Sequence, residues 1–201
     1  MRIGTLIRSG VLRSRYFFVE LVVVFIGVYA AFLLDAYRTD RAESAERDRV
    51  VGLVRVGVRE LGGLFENIAA WHEGYDADYA AQLEAGACPD VGDFLYVQPQ
   101  YPVDVIKFVL ARESYGTLPL EMYVPLTEFS GGVERMMYTE EKLVDLAERW
   151  VPIDEVAESE RARRMLDARR FLRYLQVRGR TAAELARRAE ELGRKLEGFA
   201  G

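Results

Sequence analysis

The sequence predicts an all-α fold: one apolar helix long enough to cross a bilayer, leading into a helical extramembrane domain. Three observations carry that prediction. Tyr16 to Leu34 (YFFVELVVVFIGVYAAFLL) is apolar apart from a single ionisable side chain, Glu20. The remainder is rich in Ala, Glu, Arg and Leu, a mixture that favours helix. No proline interrupts the chain from Asp35 to Trp71.

At ~1.5 Å per residue, a helix over Tyr16–Leu34 covers roughly 28 Å, close to the ~30 Å hydrocarbon core of a bilayer. A cleaved signal peptide is the rival reading. Its apolar region would usually be ~7–15 residues, shorter than this run, and no small-x-small cleavage site follows Leu34. The segment is therefore expected to stay as an anchor, and four regions follow: an interfacial segment (1–15), the span (16–37), a helical stalk (38–73) and a helical extramembrane domain with an irregular loop (74–201).

In residues 1–15, Ile3, Leu6, Ile7, Val11 and Leu12 recur at helical spacing against Arg2, Arg8, Arg13 and Arg15. That pattern suits a short amphipathic helix at the membrane surface. Lys/Arg counts on the two flanks of the span tie, since Arg38, Arg41, Arg47 and Arg49 follow it. The acid-free amino side points to an N-terminus in the cytoplasm and a periplasmic C-terminal domain. The expected location is a bacterial inner membrane.

Glu20 lies about one turn inside the span. It can reach the interface, or it can meet a polar group on a partner helix. Gly27 and Ala31 form a small-xxx-small pair that permits close helix approach. Glu20, Gly27 and Ala31 are the candidate partner contacts within the membrane.

Beyond the span, Val50, Val54, Val58, Leu61, Leu64, Phe65 and Ile68 recur on one helical face. Gly52, Gly57, Gly62 and Gly63 weaken that helix by ~1 kcal/mol each and suggest close packing. Residues 75–85 read as a separate short helix ended by Gly86. Residues 86–102 hold Gly86, Pro89, Gly92, Pro99 and Pro102 among Phe94, Tyr96 and Tyr101, the signature of a loop packed on something. The loop caps the protein's own core or docks a partner.

A helix is expected over 103–114, with Val105, Ile106, Val109 and Leu110 facing one way. Another is expected over 120–129, interrupted near Pro125. Ser130-Gly131-Gly132 reads as a turn before a helix over 133–151 that Pro152 stops. A helix over 154–178 ends at Gly179. Thr181 and Glu184 have capping-box spacing and start the last helix, where Leu185, Ala189, Leu192, Leu196 and Phe199 form a short heptad seam.

Chemistry-bearing motifs are sparse. A net charge of -5 argues against a nucleic-acid partner. One cysteine, Cys88, and one histidine, His72, make a Cys/His zinc site implausible. The chain has no Gly-rich phosphate loop, no Gly-x-Ser-x-Gly elbow and no His-Glu-x-x-His. No histidine lies in the span to ligate a haem, and no cofactor is expected. His72 reads as an ordinary interfacial or surface histidine, and Asp76/Asp78 and Glu140/Glu141 as solvated acid pairs. The arginines from Arg161 to Arg180 read as a solvated, ion-paired helix face or as a surface for anionic lipid or an acidic subunit.

The run Glu20-Leu21, Val24, Ile26-Gly27-Val28, Ala31-Phe32-Leu33-Leu34-Asp35 resembles the anchor of a family of uncharacterised bacterial single-pass membrane proteins. Ser114-Tyr115-Gly116 and Leu118-Pro119-Leu120 echo a second segment of that family. Where those proteins tend to carry amides and a Trp, this chain has Asp35-Ala36-Tyr37. The resemblance implies a membrane-anchored helical domain and transfers no catalytic residue.

The resulting expectation is a non-enzymatic protein that works by contact. It would be an accessory or scaffold subunit among other integral-membrane subunits, for example in a respiratory or photosynthetic complex. The alternative is a ligand-binding extracytoplasmic sensor. Outside the bilayer, the candidate partner contacts are Phe94, Tyr96, Tyr101, Arg163, Arg170 and Arg173.

Overall fold

The computed structural model describes residues 6–89, 91, 99–111, 118–150 and 157–199, with residues 6–20 given by backbone alone. Four helices and no strand make up the described residues: α1 (Leu6–Glu84), α2 (Asp104–Leu110), α3 (Leu120–Glu148) and α4 (Glu158–Glu197). The all-α expectation is met. The chain divides into two compact units, Met1–Arg47 and Asp48–Gly201.

In the first unit, every residue from Leu21 to Arg47 is exposed. Leu21 to Leu34 supplies the apolar part, and α1 is the one helix among the described residues long and apolar enough to cross a membrane. The backbone of Glu20 is helical; its side chain lies outside the description.

The second unit is a bundle built on heptad seams. On α1, Val51, Val54, Val58, Leu61, Phe65 and Ile68 are buried at alternating three and four. On α3, Met122, Leu126, Phe129, Val133, Met136, Leu143 and Ala147 follow the same rhythm. On α4 the seam runs Ala168, Phe171, Leu175, Ala182, Leu185, Ala189, Leu192 and Leu196. Repeats of this kind pack long helices side by side. Phe65 meets Phe129 edge to face at 6.3 Å and stacks on Tyr101 at 5.5 Å. The short α2 adds Ile106 and Val109 to the same core.

Several expected boundaries are overridden. Residues 75–84 are the last turns of α1 and no separate helix. The end at Gly86 is where expected: Gly86 takes φ +80°, and Ala87 donates its N–H to the carbonyl of Gln82 while Gly86 donates to that of Leu83. This paired closure needs a residue tolerant of the left-handed region. The turn expected at Ser130-Gly131-Gly132 is helix, because α3 runs through it. A Cβ on Gly132 would stand 2.6 Å from Leu185 Cδ2, so the missing side chain lets α4 close onto α3. Pro125 forfeits the bond to the carbonyl of Glu121, an exposed residue of the first turn, so the loss falls on the solvent side of the helix. The break expected at Gly179 is absent too, since α4 continues through Thr181. In both places burial along the seam outweighs the ~1 kcal/mol helix cost of a glycine.

Gly179 makes a second close approach, this one between α4 and α1. An added Cβ would lie 2.9 Å from both Cβ and Cγ of His72 on α1. Gly63, by contrast, faces open space within α1. Gly179→Ala is expected to lose about 1–3 kcal/mol of stability by overpacking. Gly63→Ala is expected to gain about 0.5–1 kcal/mol. Denaturant unfolding of the detergent-solubilised protein, followed by circular dichroism, compares the two.

Candidate functional site: a polar layer within the bundle

Three seam positions carry polar side chains where apolar ones would normally stand. His72 follows Phe65 and Ile68 on α1; Glu140 lies between Met136 and Leu143 on α3; Arg178 lies between Leu175 and Ala182 on α4. The bundle brings all three to one level, with residue exposures of 5%, 1% and 3%.

Their contacts form one chain of hydrogen bonds. Arg178 donates Nε–H to Glu140 Oε1 at 2.8 Å, and Tyr101 donates its hydroxyl to the same oxygen at 2.8 Å. Arg178 Nη1 stands 3.0 Å from His72 Nε2. A guanidinium can only donate, so Nε2 accepts and carries no proton. The ring proton therefore sits on Nδ1, which donates to Asp76 Oδ1 at 2.7 Å. Asp76 lies one turn along α1 and is half-buried.

Burial lowers the pKa of His72 below its ordinary value of 6.5, and the positive charge of Arg178 adds to that effect. The hydrogen bond and charge of Asp76, and the charge of Glu140, oppose it. The imidazole is thus held neutral by its surroundings. Both ring nitrogens are engaged, so the arrangement is a joint between helices and does not present the ring to a solute. A shallow groove of about 510 Å³ passes its edge, lined by Glu73, Gln176, Gly179 and Arg180 among others.

The layer separates two apolar compartments. One contains Val51 to Ile68, α2, Met122 to Met136 and Ala182 to Leu196. The other contains Tyr79, Leu83, Val91, Leu143, Ala147, Ala168, Phe171 and Leu175. An aromatic file runs from the layer into the second compartment: Trp71 stacks on Tyr75 at 4.3 Å, Tyr75 lies 6.2 Å from Tyr79, and Tyr79 lies 5.6 Å from Phe171.

The expectations for these residues need correction. His72 is interfacial but not on the surface. Glu140 is no solvated acid, although its neighbour Glu141 is exposed. Arg178 belongs to the core and not to a solvated arginine face. Each occupies a seam position of its helix, and that was the available signal.

The sequence-derived contact residues are dispersed. Tyr101 is half-buried and spends both ring and hydroxyl on its own chain. Phe94 and Tyr96 lie outside the described residues. Arg163, Arg170 and Arg173 are exposed on α4. Arg163 and Arg170 share a groove of about 390 Å³ with Arg149, Arg164, Glu160, Asp167 and Leu146. Arg170 stands 3.5 Å from Asp167, and Arg164 lies 5.3 Å over the Trp150 ring. Gly27 and Ala31 are exposed in the first unit, and nothing lies within 4 Å of a Cβ added to Gly27. Comparison with protein-family models, with curated proteins and with solved structures found no match to this chain.

Breaking a buried ion pair leaves a charge without its partner, at a cost of about 3–5 kcal/mol, whereas replacing both members with apolar side chains is often near neutral. Glu140→Ala is therefore expected to destabilise the protein by about 3–5 kcal/mol. The double variant Glu140→Leu/Arg178→Met is expected to recover more than half of that loss. Urea midpoints for the two variants, read against wild type, measure the difference.

Proposed function

We propose that this protein is a non-enzymatic, membrane-anchored accessory or scaffold subunit that works by contact with other integral-membrane subunits. The observation that carries this reading is the uncovered apolar surface of Leu21 to Leu34. Phe25 is 74% exposed and Phe32 70%, and no part of the first unit covers them. Apolar surface of that extent is normally shielded by lipid or by another apolar helix. Gly27 and Ala31 leave room on it for a close helical neighbour.

The second contact surface is the arginine face of α4. Arg163, Arg170 and Arg173 point into solvent, and guanidinium groups bind carboxylates or phosphates in two-pronged fashion. An acidic face on a neighbouring subunit fits it. In this reading the amino-terminal flank is cytoplasmic, the bundle is periplasmic and the membrane is a bacterial inner membrane. A respiratory or photosynthetic assembly is the kind of complex such a subunit would support.

A second reading, an extracytoplasmic sensor, draws support from one feature: the buried ionisable layer, which couples three helices to a single titratable ring.

Alkaline carbonate is expected to leave the protein in the membrane pellet, and mild-detergent extracts are expected to show it migrating within a larger complex. Migration only as a solitary species would overturn the accessory-subunit reading. Arg163→Glu/Arg170→Glu/Arg173→Glu is expected to release it from that complex with its helical circular dichroism unchanged.

A further inference from the structure

We propose that the His72–Arg178 contact is an acid-sensitive latch that closes the second compartment of the bundle. The inference concerns the bundle alone and is independent of which partner covers the span. Its basis is geometric: His72 Nε2 serves as an acceptor for a cation 3.0 Å away. A proton on Nε2 removes the acceptor, puts an N–H where one was received, and sets imidazolium against guanidinium at that distance. The two helices have no slack there, because Gly179 packs directly on the His72 ring.

The charged groups around the ring come from three helices. Asp76 and Glu73 belong to α1, Glu140 to α3, and Arg178 and Arg180 to α4. Asp76 and Glu140 favour the protonated ring; burial and Arg178 oppose it, and the opposition prevails. Glu140 also anchors Arg178 through Nε, so the guanidinium is not free to swing away from an incoming charge. Release therefore falls on the α1–α4 contact. The compartment beyond the layer is the smaller one, with eight buried residues against twenty-one among those described, and it opens first.

The direction in pH follows from the ring. Above 6.5 neither the closed nor the opened chain protonates His72, and the latch holds. Between 6.5 and the lower value of the closed state, the opened chain binds a proton that the closed chain does not. Opening then grows about tenfold for each pH unit lost.

His72 is the one histidine in the chain, so its imidazole resonances are unambiguous. The experiment records them by NMR in detergent micelles from pH 7.5 to 4.5, alongside amide-exchange protection factors. Protection across residues 75–83, 143–147 and 168–175 is expected to fall about tenfold per pH unit below 6.5, with little change around Val54, Phe129 and Leu192. In His72→Gln, whose amide both accepts and donates but does not titrate, that slope is expected to vanish. The proposal is overturned if protection stays flat while the ring takes up its proton, or if His72→Gln shows the wild-type slope. Should that variant fail to fold, the wild-type data decide alone: protection must fall from pH 6.5 downward and level off where the ring takes up its proton, and a fall that ignores that point overturns the proposal.

Discussion

Burying a carboxylate, a guanidinium and an imidazole at one level of an otherwise apolar bundle is the constraint on which the second unit depends. Taking such groups out of water is costly, and their mutual attraction offsets the cost only when every hydrogen bond is made. The layer offsets much of that cost with hydrogen bonds from three helices and from the chain preceding α2. Its net addition to stability is therefore small. Its effect on selectivity is large. The seams of α1, α3 and α4 are long runs of interchangeable aliphatic residues, and such seams tolerate slippage by a heptad. A heptad slip of α4 against α3 would face Arg178 with Val133 or Ala147 instead of Glu140. Only one alignment satisfies the layer.

The two units deal with apolar surface in opposite ways. From Leu21 to Leu34 the first unit displays it on all sides, as a helix surrounded by lipid does. The second sorts it inward, and its surface carries exposed pairs such as Lys107–Glu134 at 3.1 Å and Arg188–Glu184 at 2.6 Å. Pairs of that kind contribute about 0–1 kcal/mol and serve solubility more than stability.

How much was legible in the sequence follows from this division. The apolar span and the α1 face from Val50 to Ile68 follow from hydrophobic periodicity, which is a local property. The seam from Leu185 to Leu196 follows for the same reason. The helix count was not legible, because Gly132, Gly179 and Pro125 carry local breaking signals and tertiary packing overrules them. Gly86, which has no seam to continue into, does end its helix. The polar layer escaped notice for a related reason. His72, Glu140 and Arg178 each resemble a surface residue in their immediate sequence, and only their seam positions mark them as interior. Their partnership spans 106 residues from His72 to Arg178, a distance at which no local pattern operates.

The glycine contacts carry one more implication, for how the chain can change over time. Gly62 faces Ala189, Gly132 faces Leu185 and Gly179 faces His72, each closer than ordinary van der Waals contact would allow for an added methyl. Drift at any of these sites is coupled to its opposite number: atoms gained on one helix have to be surrendered by the other. The bundle's interior thus evolves by exchange between facing positions, and the exposed stretch around Gly27, which faces nothing in its own unit, is exempt from that bargain.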